Sequence, residues 1–145
     1  MAKKENGDRL LLIEQTARML RLHTQRSFEQ LGLEITVDQW FLLERIAEMP
    51  EGSQRQIAEA TGKDPASITR MLDLLESRNL VARVSVPGNR RLFHLYLTRQ
   101  GSAMLRANAH AVQTLHARGL KGFSQSETET LCALLLRVQE NIASA

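Results

Sequence analysis

Few side chains here have the type and spacing that covalent chemistry needs. The four histidines, His23, His94, His110 and His116, include no pair at the H-x-x-x-H spacing of a helical zinc site. A single cysteine, Cys132, excludes an internal disulfide and a multi-thiolate metal centre. It sits among Leu131, Leu134 and Leu135, a setting that predicts a buried, inert thiol. There is no Gly-rich phosphate loop, no G-x-S-x-G and no H-E-x-x-H. No enzyme, metal or cofactor is expected.

The arginines offer a different chemistry. Residues 1–49 carry seven basic and eight acidic side chains, yet no acid occurs between Glu76 and Glu127. That interval holds Arg78, Arg83, Arg90, Arg91, Arg99, Arg106, Arg118 and Lys121. A one-sign segment attracts polyanions over a Debye length, about 10 Å at 0.1 M salt. A solvated face balancing acids elsewhere is the competing assignment, so what the arginines sit on decides.

Ser53-Gln-Arg-Gln56 is a capping box that opens a short helix burying Ile57 and Ala58. Thr61-Gly62-Lys63 turns the chain, with Gly62 free to take positive φ. Asp64 is a good N-cap, and Pro65 suits the first helical position of a helix running to about Arg78. At 100° per residue Ile68, Leu72 and Leu75 fall on one side, with Met71 beside them. Ala66, Arg70, Asp73 and Ser77 fall opposite, flanked by Ser67 and Thr69. Small residues for close approach, hydroxyls, and an Arg able to bond guanine twice are what a major-groove helix wants. The free amides at Ser53, Gln54 and Pro65's helix start, with Lys63, are candidates to hold phosphate.

A hairpin follows. Leu80–Val86 and Arg91–Leu97 read as strands around the turn Pro87-Gly88-Asn89-Arg90. Arginines at its tip suit phosphates or a narrow minor groove, with Arg83 on the first strand. The candidate DNA-binding set is therefore Ser53, Gln54, Lys63, Pro65, Ala66, Ser67, Thr69, Arg70, Asn89, Arg90 and Arg91.

The flanks must position this unit. A helix is predicted over 8–32, with apolar residues spread wider than one contact face needs. Thr36-Val-Asp-Gln39 caps a second helix with Trp40, Leu43 and Ile46 inward. Thr98 opens a long alanine-rich helix, and Ser124-Gln-Ser-Glu127 caps the last. Leu20, His23, Phe28 and Trp40 are candidates to line an effector pocket, with core or interface as the alternative. At 145 residues, 43% hydrophobic and 24% charged, the chain suits one domain, or one domain with an appended interaction lobe. No apolar run approaches the roughly 20 residues of a membrane span, and residues 1–10 lack a signal-peptide core, so a cytoplasmic protein is expected.

Residues 35–105 resemble the MarR family of winged helix-turn-helix transcriptional regulators. The resemblance runs through Gln39-Trp-Phe-Leu-Leu, Gln56-Ile-Ala-Glu-Ala-Thr-Gly and Leu75-Glu-Ser-Arg-Asn-Leu-Val-Ala-Arg83, and closes with Leu95-Tyr-Leu-Thr-Arg-Gln-Gly101. It departs where the family wing carries Asp-x-Arg, since Asn89 stands at the acid's position and the charge pairing with the wing arginine is gone. It implies a mainly α fold with a small β-hairpin wing, residues 35–97 forming the DNA-binding lobe, and 1–34 with 98–145 a helical dimerisation lobe. It also implies a homodimer on a palindromic double-stranded operator, a repressor controlled by a small aromatic or lipophilic acid, or by an oxidant. A winged-helix module that binds another protein is the alternative.

Overall fold

A computed structural model describes residues 2–145, with side chains from Gly7 onward. Its elements are α1 (Ala2–Gln30), α2 (Val37–Glu48), α3 (Gln54–Thr61), α4 (Pro65–Ser77), β1 (Val81–Val86), β2 (Asn89–Leu97), α5 (Arg99–Arg118) and α6 (Gln125–Ala143). The expected fold class is found: six helices and one antiparallel hairpin. All three capping boxes form. The hydroxyls of Thr36, Ser53 and Ser124 accept from the amides of Gln39, Gln56 and Glu127, whose side chains reach back to the cap amides. Each box satisfies donors that a helix start otherwise leaves bare. Gly62 ends α3 at φ 64°, and Asn79 takes the left-handed conformation after α4 at φ 57°.

Phe28, Trp40, Leu43, Ile57, Ile68, Leu72, Leu75 and Leu95 form one core under the helix-turn-helix. The hairpin is held to it from both sides. β1 packs against α4, and the far edge of β2 meets the loop before α3, where the Leu95 amide donates to the Gly52 carbonyl at 3.0 Å. That third short pairing gives a two-stranded ribbon the support it lacks alone. The turn is tighter than the sequence suggested. Only Pro87 and Gly88 lie outside the strands, because β2 begins at Asn89 and a register irregularity beside Val86 absorbs the extra residues.

The junction of β2 and α5 is close-packed. Leu80 accepts from the Thr98 amide at 3.1 Å, and the Thr98 hydroxyl caps Gly101 and donates to the Asn79 carbonyl. A Cβ on Gly101 would stand 2.1 Å from the Leu80 carbonyl oxygen.

The two terminal helices are different. α6 buries none of its side chains in the single chain. Leu131, Leu134, Leu136 and Ile142 are exposed, as are Leu10, Leu11, Leu12, Met19 and Leu22 on α1. Cys132 is correspondingly exposed, which corrects the buried thiol expected from its leucine neighbours. Leu131 and Leu134 beside it stand on a face that the described residues leave uncovered.

Candidate nucleic-acid interface

The capping box decides what the start of α3 can offer. Ser53 is buried, its hydroxyl is taken by Gln56, and its own amide donates to the Gln56 side chain. The amides left free at this helix start are therefore those of Gln54 and Arg55. Gln54 is half-buried and donates from Nε2 to the Thr69 hydroxyl at 3.0 Å, stapling α3 to α4.

Asp64 caps α4 through the amide and hydroxyl of Ser67. Those hydrogen bonds hold its carboxyl below the usual carboxylate range. Pro65, Ala66, Thr69 and Arg70 are exposed on the face opposite buried Ile68, Leu72 and Leu75, and Ser67 is half-buried beside them. Arg70 reaches back to the Ser67 hydroxyl at 3.3 Å. The expected division of this helix into inner and outer faces is the one observed.

Arg90 and Arg91 are exposed at the end of the hairpin, and among the described residues no carboxylate pairs with either or with Arg70. Asn89 does not hold the Arg91 side chain. Its Oδ1 accepts the Arg91 backbone amide at 3.1 Å, which fixes the turn and leaves the guanidinium free.

These pieces converge. An open cavity of about 680 Å³ is lined by Gln54 and Arg55 of α3, Lys63 and Pro65 at the turn into α4, and Arg91 of the wing. Arg55 was not singled out from the sequence. Its signal was its place in the capping box, one residue past Gln54 at a helix start.

Lys63 also faces a second, smaller cleft of about 300 Å³, shared with Arg21, Asp38, Phe41 and Met71. There Asp38 pairs with Arg21 at 2.5 Å and Lys63 at 3.3 Å. Burial pushes the Asp38 carboxyl up, but the hydrogen bonds and charges of Arg21 and Lys63 together outweigh it and hold the group below its ordinary range. The four residues considered for an effector pocket are not brought together around either space. Phe28 and Trp40 are fully buried, packed edge to face at 5.6 Å, whereas Leu20 and His23 are exposed on α1. Among the residues described from Gly7 onward the helix buries only Thr24, Ser27 and Phe28, near its C-terminal end, so the described turns before them carry their side chains outward.

Arg83 lies apart from the other wing arginines. Only 16% of its side chain is exposed, and it pairs with Asp73 and Glu76 of α4.

Residues 35–93 match the model of the MarR family. Over nearly its whole length the chain is similar to solved regulators. The transcriptional regulator SlyA is 26% identical with a TM-score of 0.84, the match covering 94% of this chain and 95% of that one. A probable transcriptional regulator from Pseudomonas aeruginosa is 29% identical with a TM-score of 0.74, covering 87% and 96%. A mutant MarR from E. coli, solved in complex with operator DNA, is 25% identical with a TM-score of 0.76, covering 90% and 96%. The helix-turn-helix with its wing matches the MarR family, and nearly the whole chain is similar to solved transcriptional regulators of that kind.

Proposed function

We propose that this chain works as a homodimer that reads a two-fold double-stranded operator, represses transcription in the cytoplasm, and is released by a small acidic effector. The observation that carries the reading is the convergence of the α3 start, the α4 start and Arg91 on one cavity, with Arg70 and Arg90 exposed and without acidic partners. In this reading Ala66, Ser67, Thr69 and Arg70 approach base edges, with Pro65 admitting α4 closely. Lys63, Asn89, Arg90, Arg91 and the amides after Ser53 hold backbone or minor groove, which positions without specifying. Residues 35–97 form the DNA lobe, and 1–34 with 98–145 the dimer lobe.

Reading and gripping separate by mutation. Arg70→Ala is expected to cost about 1–3 kcal/mol on the preferred duplex and to flatten preference at one base position per half-site. Arg91→Ala is expected to weaken all duplexes more evenly and to lower the salt slope by about one. Selecting duplexes from a random pool with the purified protein, then titrating each variant over a salt series, measures both. An Arg70→Ala protein with unaltered base preference would remove α4 from the role of reader. Binding that ignores salt would favour a protein partner over DNA, since phosphate contacts release counterions.

A dimer presenting two reading helices to one side of the duplex needs half-site centres one turn apart, about 34–36 Å, or a multiple. Adding about five base pairs between them should abolish tight binding, and about ten should restore it in part. Equal binding at all spacings would mean that no two-fold site is read.

Effector release is supported by Lys63, which lines both the DNA-facing cavity and the cleft beneath it. An anionic effector in that cleft would compete with Asp38 for Lys63 and Arg21, altering the same ammonium that faces phosphate. An effector acts only through a difference in affinity for two states, and Lys63 is where those states would differ.

A further inference from the structure

Arg83 looks from the sequence like one more cation of the wing, yet the strand register turns it the other way. It pairs opposite Leu95, and directly opposed residues of an antiparallel ladder project from the same face of the sheet. Leu95 is fully buried, as is Val81 two residues before Arg83, so this is the face that packs on the helices. The Arg83 guanidinium accordingly meets α4. One terminal nitrogen donates to Asp73 at 2.7 Å and to Glu76 at 3.0 Å, and the other donates to the Thr69 backbone carbonyl at 3.3 Å. Its Nε is buried without a partner, a cost that the three other bonds must offset.

We infer that Arg83 is a positioning residue for DNA reading: it locks the wing to the recognition helix at a fixed offset and masks the two acids that α4 carries beside its reading face. The inference rests on the proposed reading of DNA by α4 and the wing. Three features support it. Asp73 and Glu76 lie one turn apart on α4, so one terminal nitrogen of Arg83 reaches both while the other holds the Thr69 carbonyl, and the planar group fixes rotation about the helix axis. The third bond goes to Thr69, whose hydroxyl is already held by Gln54, so α3, α4 and β1 are tied at one residue. Among the described residues no other ion pair joins α4 to the hairpin. Arg70 and Arg91 sit on the two bodies that this contact joins, and reading demands that both meet the duplex together. A small error in placing such groups is costly, because directional hydrogen bonds lose strength steeply with angle.

The test separates positioning from phosphate contact and from bulk stability. Arg83→Met keeps the apolar stem and removes the fork. The double variant Asp73→Asn/Glu76→Gln keeps Arg83 and removes its charged partners. Each is compared with wild type on a duplex that wild type enriches from a random pool and on a shuffled duplex of equal length. The readout is the ratio of the two affinities, taken well below each variant's melting temperature. Both variants are expected to lower that ratio by about tenfold, chiefly through the selected duplex. If Arg83 were a phosphate clamp, Arg83→Met would weaken both duplexes alike and the double variant would free a cation and tighten both, leaving the ratio unmoved. If the contact were only structural, melting temperatures would fall with the ratio unmoved. Either result overturns the inference while leaving the proposed function standing. A wild-type chain that enriches no duplex overturns both.

Discussion

Replacing Gly101 with alanine should unfold this protein far more easily, although the same change elsewhere in a helix usually helps. Alanine is favoured over glycine inside a helix by about 0.5–1 kcal/mol because it loses less backbone freedom on folding. At Gly101 that gain meets a backbone obstacle. The added Cβ would lie 2.1 Å from the Leu80 carbonyl oxygen and 3.0 Å from its carbon, and neither can rotate away as a side chain would. Opening the junction strains the Leu80–Thr98 bond and the Thr98 cap together. Overpacking and a lost cap sum to a destabilisation of about 3 kcal/mol, or roughly 10 °C in melting temperature for a chain of this size. Gly7, also helical, has open space around its Cβ direction. Gly7→Ala should therefore leave stability unchanged or raise it slightly. Thermal unfolding of the two variants side by side checks the argument, and an unchanged Gly101→Ala melt would mean that the β2–α5 junction is not tight.

A second large effect is expected at the terminal helices. Wild type should scatter light as a particle of about twice 16.4 kDa at micromolar concentration. The double change Leu134→Glu/Ile142→Glu should reduce it to one chain. Both positions are already exposed in the single chain, at 50% and 68%, so the fold itself loses little. In a dimer that buries α6, the same changes place four unpaired carboxylates into apolar surroundings, each costing several kcal/mol. Each large apolar side chain they replace would have contributed about 1.5–3 kcal/mol by leaving water. Operator affinity should fall by about 10²–10⁴, the advantage that linking two half-site readers provides. Circular dichroism would show the monomer still helical. A wild-type monomer, or a charged variant that remains dimeric, would move the subunit seam away from α6.

The exposed helices explain why Cys132 defeated a local reading. Leucine neighbours say that a face is apolar, but not what covers it. The described residues of this chain supply no cover there, so the thiol stands in the open. Phe28 and His23 make the same point within one helix. They are five residues apart, and among the described side chains of α1 only the turn that meets α2 and α5 is buried.

The sequence by itself determined whatever is governed by near neighbours along the chain. Three S/T-x-x-E/Q boxes placed three helix starts, because a capping hydroxyl and its amide are only three residues apart. The 3.6-residue period divided α4 correctly into Ile68, Leu72 and Leu75 inward and Ala66 and Arg70 outward. Arg45–Glu48 and Arg55–Glu59 are likewise local pairs, but tertiary structure alone decided which cations of the wing and of the turn into α4 find partners. Arg83 and Arg91 are identical in type and eight residues apart, yet one is spent on Asp73 and Glu76 while the other stands free at the cavity. Lys63, in the turn before α4, is held by Asp38 of α2, and Gly101 is demanded by a carbonyl twenty-one residues earlier. The reason is geometric. A guanidinium pairs with whatever acid the packing of rigid helices and strands brings within about 3 Å, and that distance is set by the orientation of whole elements rather than by any local pattern.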